Sequence, residues 1–121
     1  MKTLKLGIIG CGGIANGKHL PSIKKEGSAE VVAFCDIIEQ RAIDAAKKFG
    51  TEDAKVFTDY HELIKMDLDA VYVCTPNRSH CEITVAALYA GKHVMCEKPM
   101  AINYTQAMEM VDAAKKTNKL L

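Results

Sequence analysis

No C-x-x-C pair occurs among Cys11, Cys35, Cys74, Cys81 and Cys96, and five is an odd number, so neither a zinc site nor a closed disulfide framework fits the spacing. What remains is small buried thiols in a reducing cytosol, with no metal bound. No stretch approaches the roughly 18 apolar residues of a membrane span. The N-terminal apolar run, Leu6 to Ile9, also falls short of the roughly 7–15 residues of a signal-peptide core, so the chain is expected to be soluble and cytoplasmic. No block of like charge exceeds two residues, and 16 basic against 15 acidic side chains leave a formal net charge of +1. Neither nucleic acid nor a membrane is indicated as a partner. Repeats, low-complexity segments and linkers are missing too, so the 121 residues hold at most one domain.

What the sequence has is alternation. Short β-rich runs, "LKLGIIG", "EVVAFCD", "KVF", "DAVYVCT" and "KHVMCE", are separated by helical patterns. That order predicts a doubly wound parallel sheet, a three-layer α/β/α Rossmann arrangement with strands buried on both faces. Ala42, Ala45, Ala46 and Phe49 share one helical face, with Gly50 as the expected left-handed C′ residue. Ile83, Ala86, Ala87 and Ala90 repeat the pattern up to Gly91, and Ser79 with Glu82 has capping-box spacing. A further helix carries Ala107, Met110, Val111 and Ala114, starts after Asn103 and closes at Lys115 and Lys116. A shorter one is expected between Asp59 and Lys65. Asn16-Gly17 and Pro21 predict a weak spot in the first helix. The final "KLL" falls where a sixth strand should begin, so residues 1–121 are expected to be the front domain of something longer.

The first strand runs into Gly10-x-Gly12-x-x-Ala15, and the second ends in Asp36, 21 residues after Ala15. In this strand–turn–helix context the pattern predicts a dinucleotide site. Gly10 permits the tight turn, Gly12 lets the backbone approach a pyrophosphate, and Ala15 lets helix and strand pack closely. Cys11, Gly13 and Ile14 complete the loop, whose free N–H groups would face the phosphates. Asp36 would accept hydrogen bonds from ribose hydroxyls. Ile37 follows it and no arginine comes before Arg41, which favours NAD over NADP. The competing reading is a glycine turn that serves packing alone. Thr75, Pro76 and Asn77 would form the loop at the end of the fourth strand, with His80 as either a capping or a functional residue. Glu97 and Lys98 end the fifth strand and precede Pro99. They read either as a strand-ending ion pair or as a lysine held to bond a substrate oxygen.

With these motifs in place, the sequence resembles the Gfo/Idh/MocA family, named for glucose–fructose oxidoreductase, inositol dehydrogenase and the rhizopine-catabolism protein. "GIIGCGGIA", "HLPSI", "VVAFCD", "DAVYVCTPNRSH" and "ALYAGKHVMCEKPMA" carry the resemblance over essentially the whole chain. It implies a nucleotide-binding Rossmann domain, normally followed by a C-terminal α/β domain that supplies the substrate pocket and often the oligomer interface. It implies that Lys98 contacts the substrate oxygen beside the nicotinamide, and that Thr75, Asn77, His80 and Glu97 line the cofactor. It also makes Lys98-Pro99 a candidate cis bond. The family's usual catalytic histidine comes from the second domain. His19, His61 and His93 lie outside the crevice motifs, so the chain alone should bind cofactor and turn over little.

The function expected is an NAD-dependent oxidoreductase that moves hydride between nicotinamide and a hydroxyl or carbonyl carbon of a sugar, polyol or diol, as a homo-oligomer when full length. The alternatives are an NAD-dependent glycosidase of the same family, a non-catalytic NAD-sensing module, and a methyltransferase-like domain binding S-adenosylmethionine. The last does not account for "CEKP".

Overall fold

The computed structural model describes residues 2–121. Five parallel strands form one sheet in the order β3-β2-β1-β4-β5: β1 (Leu4–Ile9), β2 (Ala29–Cys35), β3 (Gly50–Phe57), β4 (Ala70–Val73) and β5 (His93–Cys96). Apolar side chains on both sides of β1 force helices onto both faces. Leu6 and Ile8 pack with Leu20, Ile23, Ala42 and Ala45, under α1 (Leu20–Glu26) and α2 (Glu39–Phe49). Ile9 and Val71 pack on the opposite face with Leu63, Ile83, Leu88 and Ala113, under α3 (Tyr60–Leu63), α4 (His80–Tyr89) and α5 (Tyr104–Thr117). The reversal of strand order beside β1 leaves a crevice at the carboxyl ends of the strands.

The first helix is irregular where Asn16-Gly17 and Pro21 predicted a weak spot. Residues Ala15–His19 form a π-helical turn, and Leu20 N–H reaches back to Ala15 O. Pro21 has no N–H to offer the carbonyl four residues back, so the wider turn avoids a missing bond in a regular helix. At the other helices most terminal signals hold. Asp59 caps α3 by accepting from His61 N at 2.9 Å, and Asn103 caps α5 by accepting from Gln106 N at 2.9 Å.

Three local expectations are corrected. Gly50 is extended (φ −85°, ψ 168°) rather than left-handed, because it opens β3 directly. It is glycine for lack of room: a Cβ there would come within 2.7 Å of Phe34 and 2.8 Å of the Ala46 carbonyl oxygen. Strand β3 is longer than "KVF" and half-exposed, as an edge strand with one free side must be. Ser79 does not cap α4: a 3₁₀ turn at Asn77–Ser79 precedes the helix, and the Ser79 hydroxyl is hydrogen-bonded with Thr75 Oγ1 (2.7 Å) and Pro76 O (2.8 Å) instead.

The residues after α5 return alongside β5. Val94 N–H donates to Leu120 O at 2.9 Å, and Leu120 N–H to His93 Nδ1 at 3.0 Å. Leu120 therefore lies against the outer side of β5, held by one main-chain bond and one to the His93 ring. No helix among the described residues is long and apolar enough to cross a membrane.

Candidate functional site

The strand ends bring the sequence motifs together. Ile9 stands in register with Cys35 on one side and Val73 on the other, and Val73 with Cys96. The residues that follow each strand, Gly10, Asp36, Cys74–Thr75 and Glu97, therefore leave the sheet along one edge. A cleft of about 700 Å³ opens there, lined by Gly10, Gly12, Asp36, Ile37, Thr75 and Pro76 among others.

The glycine turn is built by steric necessity at one point and by open space at another. Gly10 has φ 95°, and a Cβ on it would meet Cys74 C at 2.7 Å and Thr75 N at 2.8 Å. Gly12 and Gly13 have nothing within 4 Å of an added Cβ, so the backbone there faces an uncrowded space. The helical bond from Asn16 N to Gly12 O (3.1 Å) leaves the N–H groups of Gly13, Ile14 and Ala15 ahead of it, the donors a helix start offers an anion. The Asn16 side chain fixes their direction. Its Nδ2 donates to Cys11 O (2.8 Å) and Gly12 O (2.9 Å), holding those carbonyls back toward the protein.

Asp36 is buried and accepts twice from the main chain: Oδ2 from Cys11 N at 2.9 Å and Oδ1 from Ile38 N at 2.8 Å. It thus ties the end of β2 to the glycine turn. Each oxygen keeps lone-pair capacity for a further donor on the cleft side. The same burial pushes the Cys11 and Cys35 thiols up to about 12, with the Asp36 charge adding to it. Cys74 is pushed up to about 12 by burial, helped by Glu97. These thiols stay protonated and are not nucleophiles.

At the far end of the edge, Glu97 accepts from Lys98 N at 3.1 Å through Oε1 and meets His19 Nε2 at 2.5 Å through Oε2. The hydrogen bond from His19, then the Lys98 amide, hold its carboxyl below the usual range. His19 was expected to lie outside the crevice. It does not line the cleft, yet it reaches Glu97 at the end of the strand edge, with its ring edge-on to Tyr72 at 5.5 Å. The Lys98-Pro99 bond is cis, and the Lys98 amine is exposed with no ion pair among the described residues.

The expected site residues therefore divide by position. Gly10, Gly12, Asp36, Ile37, Thr75 and Pro76 line the cleft. Gly13, Ile14, Asn77 and Lys98 are exposed and Glu97 is half-buried, all outside that lining, whereas Cys11, Ala15 and His80 are buried beneath. His80, at 1% exposure, has no surface with which to line a cofactor. The sequence reading set Arg41 aside as too far from Asp36, yet it lines the same cleft five positions further on. Helix α2 turns it back over the strand end, a placement the 3.6-residue period could have flagged. Among the described residues, no three His, Cys, Asp or Glu gather into a metal-holding group.

A parallel sheet with a topological switch, an open glycine turn at a helix start and an acid closing the next strand define a dinucleotide-binding α/β domain. A family model described as "Oxidoreductase family, NAD-binding Rossmann fold" matches residues 4–121, and the chain belongs to this Gfo/Idh/MocA family. The chain is 41% identical over 119 residues to inositol 2-dehydrogenase of Salmonella typhimurium (strain LT2), covering 97% of this chain and 35% of that protein. It is 43% identical over 119 residues to D-glucoside 3-dehydrogenase of Escherichia coli K12, covering 98% and 33%. Among solved structures it resembles KijD10, a 3-ketoreductase from Actinomadura kijaniata in complex with TDP-benzene and NADP, with TM-score 0.91 and 34% identity over 99% of this chain and 37% of that one. The WlbA dehydrogenase from Bordetella pertussis, in complex with NADH and UDP-GlcNAcA, gives TM-score 0.90 and 28% identity over 98% and 36%. The chain thus spans about a third of the length of these relatives.

Proposed function

We propose that the chain binds NAD across the glycine turn and forms the cofactor half of an oxidoreductase that interconverts a hydroxyl and a carbonyl on a sugar, polyol or related diol. The observation that carries the cofactor reading is Asp36, whose two main-chain bonds fix it beside the uncrowded backbone of Gly12 and Gly13. The dehydrogenase and ketoreductase relatives support the reaction class and do not favour the glycosidase alternative.

Nicotinamide, when bound, supplies the hydride chemistry at its C4. The residues of this chain hold and orient. The N–H groups of Gly13 and Ile14 would bond the pyrophosphate, with Ala15 packed beneath them, and Asp36 would bond the adenosine ribose hydroxyls. Thr75, Pro76 and Asn77 would border the cofactor from the end of β4. Lys98, on the cis turn after β5, would donate to the reacting oxygen and favour its anionic form. Among the described residues, no carboxylate lies within ion-pair distance of its amine. Glu97, engaged by His19 and by the Lys98 N–H, would be kept from competing for that amine. The base that moves the hydroxyl proton, the substrate pocket and the surface for homo-oligomers belong, in this proposal, to the part of the protein beyond this domain. Ile37 beside Asp36 favours NAD, while Arg41 in the cleft gives a 2′-phosphate one cation to meet.

The test is NADH formation by the full-length protein with myo-inositol and a D-glucoside as probes. Turnover is expected with a polyol or sugar, and Lys98→Ala should lower kcat by about a hundredfold or more with NAD affinity held. Release of hydrolysed sugar without net NADH would move the assignment to a glycosidase. NAD binding with no turnover on any polyol or sugar would make the protein a binding module.

A further inference from the structure

His80 is a fully buried polar side chain, bonded at both ring nitrogens, that the cofactor reading leaves without a task. It opens α4, directly after the 3₁₀ turn, with 1% of its surface exposed. Its Nε2 lies 2.8 Å from Thr75 O and its Nδ1 2.8 Å from Pro99 O. Both partners are carbonyl oxygens and only accept, so both bonds at once need a hydrogen on each ring nitrogen. The two carbonyls belong to different segments. Thr75 O is in the loop after β4 that borders the cleft, and Pro99 O follows Lys98 on the turn after β5.

These segments have few other connections. Strands β4 and β5 pair only as far as Val73 and Cys96, and Glu97 N to Val73 O at 3.0 Å is the last main-chain bond between them before the segments diverge. Beyond that point the ring of His80 spans the gap. The Ser79 hydroxyl reinforces one side of the span by bonding Thr75 Oγ1 and Pro76 O. A ring held between these two acceptors cannot reorient without giving up one of the two bonds.

We propose that His80 is a positioning residue, tying the cofactor-facing Thr75 loop to the Lys98 turn through both ring nitrogens. The proposal rests on the reading of Thr75 as a cofactor neighbour. On it, the loop that meets the cofactor and the turn that carries the lysine move as one piece.

The two halves of the tie separate by substitution. The side-chain amide of Gln reaches where Nε2 sits, and that of Asn where Nδ1 sits. His80→Gln should therefore keep the bond to Thr75 and lose the one to Pro99. His80→Asn should do the reverse, and His80→Ala should lose both. Carbonyl carbon NMR shifts of Thr75 and Pro99 read each bond directly, and NAD titration reads the functional side. His80→Ala is expected to weaken NAD about fivefold, the size of one net hydrogen bond. His80→Gln should recover most of that loss, and His80→Asn should restore only the Pro99 shift. If Gln and Asn move the same carbonyl, or neither, the tie is wrong. If the carbonyl shifts follow this pattern while the unsubstituted protein binds no NAD, the tie stands and the cofactor reading falls. Should His80→Ala fail to fold, the Gln and Asn pair still decides.

Discussion

Gly10 and Gly12 lie two residues apart and make opposite demands. A side chain at Gly10 collides with the backbone of Cys74 and Thr75 and requires a left-handed φ. Gly10→Ala should therefore lower stability by about 1–3 kcal/mol, read as a drop in the urea midpoint. Asp36 is a structural tie as well as a ligand candidate, so Asp36→Ala orphans the Cys11 and Ile38 N–H groups. A stability loss of about 1–3 kcal/mol is expected from that alone, and binding data on this variant need the urea midpoint beside them. Glu97 gives a titration test. His19 and the Lys98 amide lower its folded value, so its stabilising contribution is complete above the ordinary 4.5 and is lost as pH falls through the folded value. His19→Ala should move the Glu97 carboxyl back up toward 4.5, followed by carbon NMR across the acid range.

Elements follow their local signals where the signal is a pattern. Five strands, the face of α2 and the ends of α5 were legible because burial on both sheet faces and helical period leave a mark in composition. Asn103→Ala should cost about 1 kcal/mol by removing the cap on Gln106 N. What was not legible depends on contact between distant segments. Ser79 has a capping-box spacing, yet its hydroxyl turns to Thr75 because a 3₁₀ turn occupies the helix start. Gly50 looks like a C′ glycine and is instead small to admit Phe34. His19, 78 residues from Glu97, reaches it because the π turn re-aims the end of the first helix. The cofactor motif was legible because glycine, strand and acid lie in sequence order. The clustering of His80 with Pro99 was not, because the cis turn that delivers the carbonyl has no period.

The whole molecule is a sheet with its chemistry on one edge and its thiols inside. Cys11, Cys35 and Cys74 sit near 12 when folded against an ordinary 9.0, so the unfolded chain loses those protons first as pH rises. Their contribution is intact below about pH 9 and is lost between about pH 9 and 12. Urea midpoints should fall across that window, and less so in Cys35→Ala. The central claim, that the glycine turn is a cofactor cradle rather than a packing device, has a sharper test. Gly12 has open space where a side chain would go, so Gly12→Val leaves the core untouched but fills the cradle. The measurement is calorimetric titration of the protein and of Gly12→Val with NAD and NADP, beside their urea midpoints. Saturable binding of NAD at one site, lost in a Gly12→Val protein of unchanged stability, is the predicted result. No NAD binding by the folded protein, or equal binding by Gly12→Val, would contradict the account.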